Sequence, residues 1–213
     1  MANKSVHNCP SCGTMNTSLL TESVMLICEN CESVIYEKAL GDFRPRASPI
    51  PPDWSFIQLG TTGEHNGQPF TIVGRIRLQL RNDYKNFWCA ALENGAALWL
   101  MESFASFAVF PMTWHMYTNS VSDVRAGKTF NARSGLKLTG EYVEKCEDIG
   151  YEGEVGSWKS FHPGFFFLQA ANKESEVAVF SIVNKKKVDY LTGIKVTPES
   201  LNLKNIIMWD EWK

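Results

Sequence analysis

The chain reads as mainly β in two unequal parts: a small cysteine-rich head, then an antiparallel β-barrel or β-sandwich domain with a short C-terminal helix. Three observations predict this. Two Cys-x-x-Cys pairs lie within the first 40 of the 213 residues. The stretch "GDFRPRASPIPPD" at 41–53, with four prolines in thirteen residues, separates them from the remainder. Beyond it, short apolar runs bounded by Gly, Asn, Asp or charged clusters recur at intervals typical of antiparallel strands.

Composition narrows the class. Hydrophobic residues make up 44% and charged residues 21%, as in an ordinary globular protein. The formal net charge of −2 supplies no global field to attract nucleic acid or anionic membrane. No run approaches 18 apolar residues, so no transmembrane helix is expected and any membrane association would be indirect. The opening "MANKSVHNCPSC" has no apolar signal-like core. The expected location is therefore the reducing cytoplasm, where paired cysteines read as metal ligands rather than disulfides.

The head, residues 1–40, holds four of the six cysteines. Cys9-x2-Cys12 and Cys28-x2-Cys31 are fifteen residues apart, a spacing at which two tight turns each present two thiolates to one tetrahedral zinc ion. Gly13 suits the sharp bend after the first pair. So small a unit cannot bury enough apolar surface to fold alone. Structural zinc contributes roughly 10–16 kcal/mol of apparent folding free energy and removes that difficulty. Four thiolates leave no open position for a catalytic water, and no βαβ context supports a thioredoxin-like motif. Lys4 and Lys38 against Glu22, Glu29, Glu32 and Glu37 give two minus four, or −2. Phosphate binding needs Lys and Arg, so the head is expected to fold or dock rather than read bases.

Residues 41–53 cannot form a helix or a central strand and read as a semi-rigid linker. The β-rich domain is assigned to 54–203 and a tail to 204–213. In "GRIRLQLRN", Ile76, Leu78 and Leu80 alternate with Arg75, Arg77 and Gln79, a half-buried strand. "FWCAALENGAALWLMES" reads as a hairpin whose Asn94-Gly95 supplies positive φ at both turn positions. Strand-like runs continue through "SFAVF", "LKLTGEYVEKC", "GFFFLQA", "EVAVFSIV" and "KVDYLTGIKV". In "TPESLNLKNI", Thr197 as N-cap, Pro198 at the first position and Glu199 in the first turn predict the short helix.

Other polar residues are weighed for chemistry. Glu152 and Glu154 alternate across Gly153 and would share one face of a strand. They are expected to cap backbone amides or meet the arginines of "GRIRLQLR" rather than act as an acid–base pair. His65, His115 and His162 have no second ligand at metal spacing. Cys89 and Cys146 read as buried small hydrophobes. "LGTTGEHNGQP" is a hairpin loop rather than a phosphate cradle, and "NKKKVD" at 184–189 a solvated turn. Trp209 and Trp212, three apart, would share a helical face if the tail is a free docking peptide. The alternative is a tail packed back on the domain.

Several motifs in order resemble the domain of unknown function 4178 family. They are "IQLGTTGEHNGQPFTIVGRI" (57–76), "NGAALWLMES" (94–103), "VRAGKTF" (124–130), "YEGEVGSW" (151–158) and "YLTGIKVTPESLNL" (190–203). An N-terminal zinc ribbon is a familiar companion of such domains. Two departures stand out: Ala90 occupies the place of the family's usual glutamate, and Val155-Gly156 stands where Leu-Pro is usual. Any role of that glutamate cannot be carried over. The resemblance implies a bacterial β-rich accessory protein without an assigned reaction.

These readings together favour a non-enzymatic adaptor or accessory subunit with one structural zinc, working through protein partners in a bacterial stress- or defence-linked assembly. Two alternatives stay open. One is a ligand-binding or hydrolytic β-barrel, in which His115 or His162 converges with Glu152, Glu154 or Cys146. The other is a nucleic-acid accessory protein using Arg75, Arg77 and Arg81.

Overall fold

The computed structural model describes residues 4–37, 50–104, 106–117, 122, 124–132, 135–158, 163–184 and 187–209. Most of the proline-rich linker (41–49), His162, Lys185, Lys186 and Trp212 lie outside them. The head is two hairpins. In the first, β1 (Ser5–Asn8) pairs with β2 (Met15–Ser18). In the second, β3 (Met25–Ile27) pairs with β4 (Val34–Glu37).

The remainder builds one ring-like sheet. β5 (Thr62–His65), β6 (Gln68–Leu80), β7 (Tyr84–Leu92), β8 (Ala97–Ser103) and β9 (Ser106–Pro111) follow as an antiparallel meander. The chain then crosses an outer face through β10 (His115–Met116) and β11 (Thr129–Asn131). It returns as β12 (Lys137–Val155), β13 (Phe166–Ala171), β14 (Glu176–Asn184) and β15 (Lys187–Val196). The long β12 closes the sheet, pairing with β13 from Thr139 to Lys145 and with β6 from Cys146 to Gly153. With β15 pairing β9, the ring runs β6–β7–β8–β9–β15–β14–β13–β12.

Alternation along the strands fills the inside. Ile76, Leu78 and Leu80 of β6 meet Phe87, Cys89, Trp99, Phe110 and Phe167 there. Trp158 enters the same interior just after β12 and stacks edge-on against Trp99 and Trp114, with centroids 5.3 and 5.0 Å away. Each such buried aromatic contributes about 2–3 kcal/mol by leaving water. The outer faces are covered too. Ile57, Phe70, Trp88, Leu100, Phe107 and Leu201 form a second core under residues 56–57 and the C-terminal segment. Tyr117, Phe130, Leu138, Phe180 and Tyr190 form a third under the β10–β11 excursion. Coverage on both faces explains why so many strand positions are apolar on both sides.

That coverage also corrects three expectations. Arg75 and Arg77, read as the outward face of β6, are buried beneath residues 51–53. The C-terminal helix is a single 3-10 turn at Glu199–Leu201. Asn202 adopts left-handed φ (46°) and ends it, and Lys204 then makes an antiparallel bridge with Thr62. In the β7–β8 hairpin only Gly95 has positive φ (80°); the Gly95 N–H donates to Leu92 O at 2.9 Å, closing a type I turn. The paired positive φ values occur instead at Asn66 and Gly67, between β5 and β6.

Candidate metal centre and its latch

Cys9 and Cys12 flank the β1–β2 turn, and Cys28 and Cys31 the β3–β4 turn. The two knuckles are built alike. Gly13 N–H donates to Cys9 O at 2.9 Å, and Glu32 N–H donates to Cys28 O at 3.0 Å. Both end in left-handed backbone, Gly13 at φ 76° and Glu32 at φ 58°. The four Sγ atoms lie within 4.8 Å of one another. Cys9 Sγ is 3.5 Å from Cys31 Sγ, and Cys12 Sγ is 3.6 Å from Cys28 Sγ. A tetrahedral ion with metal–sulfur bonds of about 2.3 Å sets sulfurs about 3.8 Å apart, so the cluster fits such a site. Proximity of Thr14, first through its hydroxyl at 3.3 Å and then its backbone, holds the Cys12 thiol down at about 5. A thiolate is the form that binds metal.

Around the sulfurs lies a residue the sequence did not flag. Asn16, 2% exposed, donates through Nδ2 to Thr14 O (2.8 Å) and Cys28 Sγ (3.7 Å). Its Oδ1 accepts the Glu29 N–H at 2.9 Å. One amide thus ties the first knuckle to the second. Asn16 stands out from no other strand polar residue, so only the fold reveals it.

The head is fastened to the ring by Glu154. This carboxylate, 2% exposed, accepts the Ser18 hydroxyl, the Leu19 N–H at 2.7 Å and the Leu20 N–H at 3.1 Å. β3 extends the fastening by pairing with the end of β12, Leu26 opposite Glu154 and Met25 opposite Val155. Val24 N–H donates to Val155 O and Thr21 N–H to Gly95 O, both at 2.9 Å. Leu20, Met25 and Ile27 join the interior core. Glycines permit the close approach that delivers Glu154. A Cβ at Gly74 would meet Glu154 O at 2.0 Å, and one at Gly153 would meet Val73 O at 2.3 Å.

Glu152 goes elsewhere. It lies 2.7 Å from Arg75 Nε, at the rim of a polar cluster on the outer face. There Asp53 Oδ2 accepts from Arg75 (3.1 Å), Arg77 (2.9 Å) and Asn86 (2.9 Å). Arg75 stacks on Trp88 and Arg77 on Tyr84, at 4.5 and 4.0 Å from the ring centroids. Beside them Glu102 Oε2 accepts from Ser55 Oγ (2.8 Å), Trp88 Nε1 (2.9 Å) and Asn86 Nδ2 (3.2 Å). Burial pushes the Glu102 carboxyl above its ordinary range. So Glu152 meets an arginine and Glu154 caps amides, the roles expected of them, and the two do not converge on a common ligand.

The remaining candidates disperse. Cys89 and Cys146 are buried in the interior, and burial pushes both thiols up to about 12. His65 sits by the β5–β6 turn with Asn66, and His115 packs on Tyr190 on the far outer face. Among the described residues the four head cysteines are the sole group placed to share a metal. Trp209 packs edge-on against Trp54 at 5.4 Å, and residues 206–209 are not helical. No helix among the described residues is long and apolar enough to cross a membrane. In comparisons with family models, curated proteins and solved structures, the chain matches none.

Proposed function

We propose that this chain is a non-enzymatic adaptor: a structural zinc head with four cysteine ligands, seated on a β-barrel and acting through protein contacts in the cytoplasm. The observation that carries this reading is the latch. Glu154, β3 and three apolar side chains make head and ring one rigid platform. The chemistry of the rest supports it. Four thiolates close the coordination shell, the remaining cysteines are buried thiols, and aromatic rings fill the ring interior. The resemblance to the domain of unknown function 4178 family points the same way, to an accessory subunit of a bacterial stress or defence system. The outer face of the β1–β2 hairpin offers a contact surface, with Val6 63% and Met15 74% exposed.

The test compares the wild-type chain with a Val6→Asp/Met15→Asp variant by cross-linking capture in the native host, after metal analysis. The expected result is one zinc per chain in both, with specific partners lost from the variant. Identical capture from both, or none from either, would sink the hairpin-docking reading. Far less than one zinc per chain under reducing conditions would overturn the metal assignment.

A second reading rests on a cleft of about 940 Å³ between head and ring. Lys4 and Leu19 of the head face Thr62, Glu64, Thr71 and Glu93 across it. Its mixed charges and hydroxyls suit a small zwitterionic ligand. Thermal-shift screening of amino acids and short peptides tests this; a stabilisation abolished by Thr71→Arg would establish the site, and a flat screen would remove it.

A further inference from the structure

We infer that the head is a peroxide-sensitive latch, in which Cys12 is the sulfur attacked and Cys28 the one that resolves it. The inference rests on the zinc assignment above. Exposure separates the four ligands: Cys12 is open to solvent, Cys31 partly so, and Cys9 and Cys28 are buried. Of the two cross-knuckle sulfur pairs at hydrogen-bonding distance, Cys9–Cys31 at 3.5 Å and Cys12–Cys28 at 3.6 Å, only the second contains the fully exposed sulfur and joins it to a buried one. The exposed sulfur is the one a small hydroperoxide can reach in line with its O–O bond.

The oxidation proceeds in two steps. Cys12 Sγ attacks one peroxide oxygen, the O–O bond breaks, and with one proton a sulfenic acid and one water form. Cys28 Sγ then attacks that sulfur; the S–O bond breaks, a second proton is taken up, and a second water leaves with the disulfide formed. Two thiolates, one hydrogen peroxide and two protons give one disulfide and two waters. The two electrons come from sulfur and the zinc keeps its charge. With two of four donors gone, the metal site no longer holds its ion.

The consequence reaches the ring because head and ring share bonds. Ser18, Leu19 and Leu20, at the end of β2 and just beyond it, hold Glu154, and β3, which runs into the second knuckle, carries Met25 and Ile27 into the interior. Loosening the knuckles frees these contacts. An oxidant thereby alters the surface that the adaptor presents.

The experiment uses the full chain loaded with one zinc and titrated with hydrogen peroxide beside a chromogenic zinc chelator. Disulfides are mapped by mass spectrometry, and amide exchange is read at Leu20 and Val24. The expected outcome is one zinc released per peroxide consumed, a Cys12–Cys28 bridge, and exchange faster by about tenfold or more at both amides. Thiol reductant plus zinc restores the starting state. Zinc retained through excess peroxide, a bridge within one knuckle, or release with unchanged exchange would each overturn the inference. Protein that never carried zinc fails at the loading step, which tells against the metal assignment instead. Substituting Cys89 or Cys146 with Ala leaves the zinc-release curve unchanged, which separates the head from the interior thiols.

Discussion

Glu154 is a single carboxylate that satisfies three donors, and its removal strands two backbone amides at a buried junction. Each unsatisfied buried donor costs about 1–3 kcal/mol, so Glu154→Ala should lower stability by about 2–4 kcal/mol. Glu154→Gln keeps one acceptor and should cost about half as much. Urea melts of the zinc-loaded proteins give both values, and an alanine variant as stable as wild type would contradict the latch. Glu102 behaves oppositely. Its carboxyl is raised by burial, so the folded state holds its proton above the pH at which the unfolded chain has released it. The unfolded state therefore binds fewer protons in that window, and wild-type stability falls as pH rises from the ordinary carboxylate range through the raised value. Glu102→Gln removes that loss because the amide does not titrate. The stability gap in favour of Glu102→Gln should widen as pH rises above the ordinary carboxylate range; a gap constant with pH would refute the assignment.

At the level of elements, the two knuckles share one turn geometry but not one sequence. Gly13 and Glu32 occupy equivalent left-handed positions. Left-handed backbone costs a residue with a side chain about 1–2 kcal/mol, partly offset because glycine leaves a freer unfolded chain. Glu32→Gly should therefore stabilise the zinc-loaded head by roughly 0.5–1 kcal/mol, and Gly13→Ala should destabilise it by about 1 kcal/mol. Zinc affinity by chelator competition should follow the same order. Equal affinities would mean that the turns relax away from this geometry. The β5–β6 hairpin shows the same economy, since Pro69 pairs with Glu64 at a position where its missing N–H is not needed in the ladder.

Across the whole molecule, head and ring share a core, a carboxylate latch and one strand pairing. Such coupling makes them one cooperative unit. Removing zinc with a chelator under reducing conditions should move a single thermal transition down by about 10 °C or more, without splitting it. A ring transition unmoved by chelation, with a separate loss of head signal, would show that the latch transmits nothing. The shared core also means that cutting the head away removes Leu20, Met25 and Ile27 from the interior cluster, so point substitutions are the sound way to probe the head.

The sequence by itself determined what is local. Four cysteines at knuckle spacing declared a thiol cluster that fits a tetrahedral metal, because thiolate chemistry and turn length depend on neighbours along the chain. Alternation in β6 placed Ile76, Leu78 and Leu80 inside, because the pleat has a period of two. The pairing of Glu152 with an arginine of "GRIRLQLR" and the capping by Glu154 were also legible as kinds of contact. Only the tertiary structure decided the partners. Asp53, far along the chain from Asn86, covers Arg75 and Arg77, and turns an outward strand face into a buried one. Closure of the ring by β12, the Asn16 tie and the seating of the head on Glu154 join residues separated by long stretches of chain. Their bond energies depend on burial and geometry that no local pattern encodes. The C-terminal helix gave way for the same reason, since Lys204 gains a bridge to Thr62 that a longer helix would forgo.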